Sequence, residues 1–119
     1  MSYMFIQNGS FNQPLATWDT SRVVTMNNMF DYATAFNQNL GSWLIPSCSN
    51  MASMLNSCGM DKTNYSATLT GWAGQAPNIQ SNVTLGATGI QYDTPGSASR
   101  AILTSAPYNW TITGDTYVP

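Results

Sequence analysis

The sequence predicts a solenoid of stacked α/β repeats, with short parallel strands and short helical turns, closed by an α+β cap at its C-terminal end. Three observations predict it. Large apolar residues recur at an offset of 25 positions. Only 7% of the 119 residues are charged, and Asn, Ser, Thr and Gly take their place. The register of the repeat changes after residue 60, where a different pattern takes over.

The repeat is read by shifting the chain onto itself. Met1 falls on Met26 and then Met51, and Met4 on Met29 and then Met54. Phe5 falls on Phe30 and Leu55, Phe11-Asn12-Gln13 on Phe36-Asn37-Gln38, Leu15 on Leu40, and Trp18 on Trp43. A third copy keeps the frame after four inserted residues, with Tyr65, Leu69 and Trp72 in the places of Phe36, Leu40 and Trp43. One such unit cannot bury its own apolar side, but stacked units line up like residues and share one elongated core. Coils of 1–25, 26–50 and 51–75 therefore form a repeat region over about 1–60, and residues 61–119 form the cap. Asn12 and Asn37 lie between core residues and are expected to pair coil backbone, because buried amides need partners.

Within each coil, Leu15-x-x-Trp18-x-Thr20 and Leu40-x-x-Trp43-x-Ile45 alternate, which predicts strands at about 17–20 and 42–45. Trp18 and Thr20 then point inward, while Thr17 and Asp19 point outward, matched by Ser42 and Leu44 one coil on. Met26–Ala33 and Met51–Cys58 have helix-like spacing and are expected as helical turns on the opposite side. In the cap, Asp61 to Asn64 supplies helix-starting side chains. Tyr65, Leu69 and Trp72 then predict a helix over about 64–73, stopped at Gly74. A strand over 82–85 follows, then a short helix over 97–104 with Ala98, Ala101 and Ile102 inward, and a last strand over 110–112. A solenoid end needs such a cover, polar on its outer side.

Composition narrows the function. The cations are Arg22, Lys62 and Arg100 alone, and the net charge is −2, so a multi-phosphate clamp on nucleic acid is not expected. The N-terminus Met-Ser-Tyr-Met-Phe-Ile-Gln-Asn has neither a basic start nor an apolar run, so it does not read as a signal peptide. No stretch reaches transmembrane length. Histidine and glutamate are absent, so no catalytic residues are assigned and no enzyme is expected. Neither a cofactor nor a metal site is expected. Lys62 reads as a solvated charge, and Asp19, Asp93 and Asp115 read as turn formers rather than calcium ligands. Cys48 and Cys58 fall on small apolar positions and read as buried thiols, with a disulfide left open. The sequons at Asn8, Asn64, Asn82 and Asn109 carry no weight in a chain this rich in Asn, Ser and Thr.

Met29-Phe30, Phe36-Asn37-Gln38, Leu40, Trp43 and the phrase from Trp18 to Met26 resemble the BspA-like bacterial surface-protein repeats. The tail, with Thr70-Gly71-Trp72-Ala73, Asn82-Val83-Thr84-Leu85, Tyr92, Ser99-Arg100, Leu103 and Trp110 to Thr113, resembles the closing segment of such proteins. The resemblance implies a leucine-rich-repeat-like solenoid and an interaction module at a cell or virion surface, with no substrate attached. It departs from the family in having two clear copies and one modified one.

Two surfaces are expected to matter. The outward row of Thr17, Asp19, Ser42 and Leu44 is the expected binding face, with Leu44 an apolar residue in water. The first coil, with Met1, Tyr3, Phe5 and Phe11, begins in mid-pattern and is expected to offer an edge to a protein partner or to another copy of the chain. The functional expectation is a non-catalytic, extracellular adhesion or protein-interaction module. The alternative is a structural subunit of a virion, as a capsid decoration or tail component, or of another large assembly.

Overall fold

Left-handed backbone recurs at the spacing of the repeat. Tyr3, Asn28 and Ser53 have φ of 60°, 59° and 57°, and Gln7, Tyr32 and Ser57 have φ of 56°, 59° and 56°. A left-handed residue every fourth position interrupts helical dihedrals, so the i→i−4 bonds of an α-helix cannot form. Tighter bonds replace them, from Met29 N–H to Met26 O (3.2 Å), Ala33 N–H to Phe30 O (3.0 Å) and Met54 N–H to Met51 O (3.1 Å). The intervening peptides are left free to bond between coils. A computed structural model describes residues 1–119 and places those bonds.

Most of the bonds run in one direction. Tyr3, Phe5 and Gln7 donate their amides to the carbonyls of Asn27, Met29 and Asp31 at 3.1, 2.9 and 2.7 Å. Met26, Asn28, Phe30 and Tyr32 donate to Asn50, Ala52, Met54 and Asn56 at 2.8–2.9 Å. Met51, Leu55 and Ser57 donate to Thr84, Gly86 and Thr88 at 3.1, 2.9 and 2.8 Å. Along these rows each coil gives most of its amides to the segment that follows it in sequence, while Ser49, Gly59 and Gly86 return bonds to Val24, Ala33 and Met51 at 2.9, 3.1 and 3.1 Å. Bulky Tyr3 and Tyr32 hold left-handed φ at a cost of roughly 1–3 kcal/mol each, which the bonds on either side of them offset.

This arrangement corrects two expectations. The segments 26–33 and 51–58, predicted as helical turns, are the rows that pair in parallel, with isolated bridges at Thr25–Asn50 and Met51–Leu85. Apolar residues three and four apart fit a helix and a row of turns equally well, so spacing alone could not separate them. The segments 17–20 and 42–45, predicted as strands, are not strands. Turns closed by Trp43 N–H to Leu40 O (3.0 Å) and Cys48 N–H to Ile45 O (3.4 Å) bend the second one. Side chains make the contacts between coils there, from Thr20 Oγ1 to Leu44 O (2.8 Å), Ser42 Oγ to Ala16 O (3.2 Å) and Ser47 Oγ to Ser21 O (3.3 Å).

Aromatic residues register the stack. Phe5 lies on Phe30 with ring centroids 5.5 Å apart, and Phe11 on Phe36 at 5.9 Å. Within a coil Phe5 stacks on Phe11 at 4.0 Å, and Phe30 on Phe36 at 3.9 Å. Trp43 donates its indole N–H to Leu15 O, 28 residues back, and Trp72 donates to Leu40 O, 32 residues back. The two bonds are equivalent, with the inserted residues taken up between the anchors. Trp43 and Trp72 are fully buried. Trp18 holds the same repeat position but is 39% exposed, contrary to the inward placement predicted, because no coil lies above it in the structure. Thr20 is buried as expected. Asn12 Oδ1 accepts the Asn37 amide and Asn37 Oδ1 accepts the Asp61 amide, both at 2.8 Å, so the asparagine column pairs backbone as its place in the repeat predicts.

In the third coil the arc becomes a helix. Asp61 Oδ1 accepts from Asn64 N–H at 2.8 Å and caps α1, Lys62–Ala73, which buries Tyr65, Leu69 and Trp72. Gly71 faces Gly41. A Cβ on Gly71 would strike the Gly41 carbonyl, and one on Gly41 would lie 2.6 Å from Ala67 O, so both glycines are needed for α1 to lie flat on the second coil.

The chain then forms β1 (Thr84–Gly86), β2 (Gln91–Tyr92), α2 (Thr94–Thr104), β3 (Thr111–Thr113) and β4 (Thr116–Tyr117). β1 pairs in parallel with β3, Leu85 opposite Ile112, and β2 pairs with β4. Asp93 caps α2 through Gly96 N–H, with Pro95 in the first turn. The inner face of α2 is Gly96, Ser99 and Leu103. Ala98, Ala101 and Ile102, predicted inward, are exposed. The reason is the partner surface. α1 presents Ser66 and Thr70, so α2 turns its small side to them, with Gly96 against Ser66 and Ser99 Oγ 2.9 Å from Thr70 Oγ1. One cluster of 27 buried apolar residues runs from Leu15 to Ile112, through coils and cap alike.

Candidate functional site

The outward row of the second coil is held rigidly by side chains. Gln75, just past α1, accepts from Ile45 N–H at 2.9 Å and donates to Trp43 O at 2.7 Å. Thr20 Oγ1 donates to the carbonyl of Leu44 between them. Trp43 and Ile45 are fully buried on one side, which turns the Leu44 side chain to solvent, where it is 55% exposed. Residues that alternate sides behave in this way even outside a regular strand. Thr17, Asp19 and Ser42 are also exposed. The bonds from Thr20 to Leu44 and from Ser42 to Ala16 bring the four predicted face residues into one strip across two coils.

Leu44 opens onto an open cleft of about 460 Å³, lined by Pro46, Gly74, Gln75, Ala76 and Asn78. A second open groove of the same volume runs between Asn39, Gly41, α1 and Asp93. Sequence reasoning missed Gln75, Ala76 and Asn78, because they come from the segment after α1 and meet the strip only in three dimensions. It also missed Val24 and Tyr32, exposed at 57% and 56% in the first two coils. Their repeat offset was legible, but the left-handed backbone that turns Tyr32 outward was not.

The predicted assembly edge divides. Phe5 and Phe11 are half-buried on their coil-two equivalents, and Met1 is half-buried with its ammonium donating to Thr25 O at 3.1 Å. Tyr3 is 55% exposed.

The ionisable groups serve the scaffold. Arg100 forms a two-point pair with Asp115, Nε to Oδ2 at 2.9 Å and Nη2 to Oδ1 at 2.8 Å, and Nη2 also donates to Ile112 O at 3.1 Å. Tyr65 donates its hydroxyl to Asp115 Oδ2 at 2.7 Å, and the guanidinium lies 5.2 Å from the Tyr92 ring centroid. Burial first, and then the Asp115 carboxylate, hold the Tyr65 phenol protonated well above the usual tyrosine range. The bonds to Asp115 raise the Arg100 pKa further. Cys48 and Cys58 are free thiols, and burial pushes Cys58 up to about 11, so neither the disulfide nor an activated nucleophile describes them. No three metal-ligating side chains come together. Lys62 Nζ lies 3.5 Å from Pro119 O.

Three aspartates are lowered below their ordinary value of 3.8. Asp61 is lowered by the Asn64 amide, Asp93 by the Gly96 amide, and Asp19 by the Ser21 hydroxyl and then its amide. A depressed folded-state pKa means that the unfolded chain binds protons first as pH falls. Stability from these caps is therefore complete above pH 3.8 and lost as pH drops through the lower folded values. The thermal midpoint should hold level from pH 7 to about 5 and fall between pH 4 and 2, read by circular dichroism. Replacing both cap residues, Asp61→Asn and Asp93→Asn, should flatten part of that fall, since asparagine caps without titrating.

Comparison with known proteins completes the picture. The family model described as "Mycoplasma protein of unknown function, DUF285" matches residues 1–85, well over half of the chain. The matched span takes in the coils and α1 and ends within β1. No curated protein and no solved structure matches the chain.

Proposed function

We propose, from the premise that this chain belongs to the DUF285 family, that it is a non-catalytic protein-interaction or adhesion module displayed at a cell or virion surface. The binding face is the strip of Thr17, Asp19, Ser42 and Leu44. The observation that carries this reading is Leu44. It is a large apolar side chain held in water on a segment that Thr20 and Gln75 fix by three hydrogen bonds, beside an open cleft. A rigid apolar anchor rimmed by Thr, Ser and Gln is the chemistry of a protein contact, since ordering costs are already met before the partner arrives. The low charge and the Asn/Thr-rich surface suit an extracellular setting. The repeat, in this reading, is of the BspA-like kind, a divergent leucine-rich-repeat solenoid.

The test is binding of the labelled chain to intact cells, with Leu44→Asp as the probe. Leu44→Asp should cut surface binding at least about tenfold, the loss expected of a central anchor, and shift stability by no more than about 0.5 kcal/mol. Unchanged binding by a folded Leu44→Asp chain would remove the strip from the proposal.

A second reading, a structural subunit of a virion or other large assembly, is favoured by the half-exposed Phe5, Phe11 and Trp18 on the first coil. A multimeric mass by light scattering at micromolar concentration supports it, and a monomer argues against it.

A further inference from the structure

We infer that the outer edge of the first coil is a seat for one more coil of this same repeat, stacked amide-first. Peptide geometry supplies the first reason. In a trans peptide the C=O and N–H point opposite ways. The amides of Tyr3, Phe5 and Gln7 point down to the second coil. The carbonyls of the same peptides, on Ser2, Met4 and Ile6, therefore point up, and no group in the chain donates to them. Their equivalents one coil down, on Asn27, Met29 and Asp31, each accept an amide.

These peptides are the heads of continuous hydrogen-bonded columns. One runs Gln7 to Asp31, Tyr32 to Asn56, Ser57 to Thr88 and Gly89 to Gly114, at 2.7–3.2 Å. Another runs Phe5 to Met29, Phe30 to Met54, Leu55 to Gly86 and Ala87 to Thr113, each bond 2.9 Å. Aligned peptides add their dipoles, as in a helix, so the carbonyls of Ser2, Met4 and Ile6 are the negative ends of these columns and form a row of acceptors. Two such rows cannot bond to each other. At the opposite end the columns close on the carbonyls of Thr113 and Gly114, beside the Ile112 carbonyl to which Arg100 Nη2 donates.

Side chains on the same edge ask for the same occupant. The Trp43 and Trp72 indoles each donate to a leucine carbonyl in the preceding coil. Trp18 holds that repeat position with its indole unpaired and 39% exposed. Asn37 and Asp61 donate their amides to the asparagine of the coil before, and Asn12 is exposed at the equivalent place. Phe5 and Phe11 have phenylalanine stacked beneath them and lie half-buried. A coil with the pattern Met-x-x-Met-Phe, then Phe-Asn-Gln-x-Leu, satisfies the carbonyls, the indole, the amide and the rings together. An ordinary extended peptide satisfies only the carbonyls.

The test joins a second copy of residues 1–25 directly ahead of Met1 and compares it with a scrambled copy of the same composition. The true copy should raise the thermal midpoint by about 5 °C or more over the scrambled one, as nearest-neighbour stacking predicts. The added amides at the Tyr3, Phe5 and Gln7 positions should also become protected from hydrogen exchange. Equal midpoints with an added coil that exchanges as freely as the scrambled one would overturn the inference. A dimer of the unextended chain that protects Trp18 from a quencher would overturn it too, by giving the edge to a second copy. Neither readout depends on Leu44, so this edge and the binding strip stand or fall separately.

Discussion

Trp43→Ala should lower stability by about 3–5 kcal/mol, and Trp18→Ala by well under half as much. The two residues occupy one repeat position, so the comparison isolates the stack. Trp43 is fully buried, packs 6.3 Å from the Phe30 ring and satisfies Leu15 O through its indole. Removing it opens a cavity and takes from Leu15 O one of its two donors, leaving the Trp18 amide alone. Trp18 lies 6.1 Å from Phe5 but is already 39% wet, and no carbonyl depends on it. Urea unfolding followed by circular dichroism measures both. Equal costs for the two substitutions would mean that the indoles do not act as successive members of one column.

That column was legible in the sequence because its members are large, rare and evenly spaced. Trp18, Trp43 and Trp72 could be aligned with no knowledge of backbone shape. The backbone itself was less legible. Met26, Met29, Phe30 and Ala33 sit at intervals of three and four, which a helix and a left-handed row both produce. The residues that decide between them, Asn28 and Tyr32, give a mixed signal, since asparagine tolerates left-handed φ and tyrosine does not favour it. The side of α2 that faces inward was misread for a related reason. Hydrophobicity points to Ala98, Ala101 and Ile102, but the surface that α2 meets is polar and close, so Gly96 and Ser99 go in. Of the candidate site, Thr17, Asp19, Ser42 and Leu44 were readable from alternation about Trp18 and Trp43, whereas Gln75 and Asn78 arrive through tertiary contact.

Asp115→Ala should cost about 3 kcal/mol and loosen the whole cap. It removes the carboxylate shared by Arg100 and Tyr65, and so leaves the phenol without its acceptor and the guanidinium with the Ile112 carbonyl alone. Breaking one side of a buried pair typically costs 3–5 kcal/mol. The lower figure applies because the Arg100 side chain is 25% exposed and water can reach it, while that of Asp115 is 1% exposed. Hydrogen exchange should rise first in β3, β4 and α2, which this cluster ties to α1, and should stay slow in the first two coils. Uniform loosening of every coil would show that coils and cap unfold as one unit. Asp115→Asn should recover part of the loss, because it keeps an acceptor for the phenol while giving up the charge.

The two indole bonds, one spanning 28 residues and the other 32, have a consequence for how this chain tolerates change. The anchors at either end of an arc hold the same geometry whether the arc between them is an irregular loop or the helix α1. Length and conformation in that interval are thus buffered, provided that the leucine carbonyl and the indole keep their appointment. Insertions should concentrate between the phenylalanine row and the tryptophan row, and be scarce within the left-handed row, where one extra residue would put every later amide out of step.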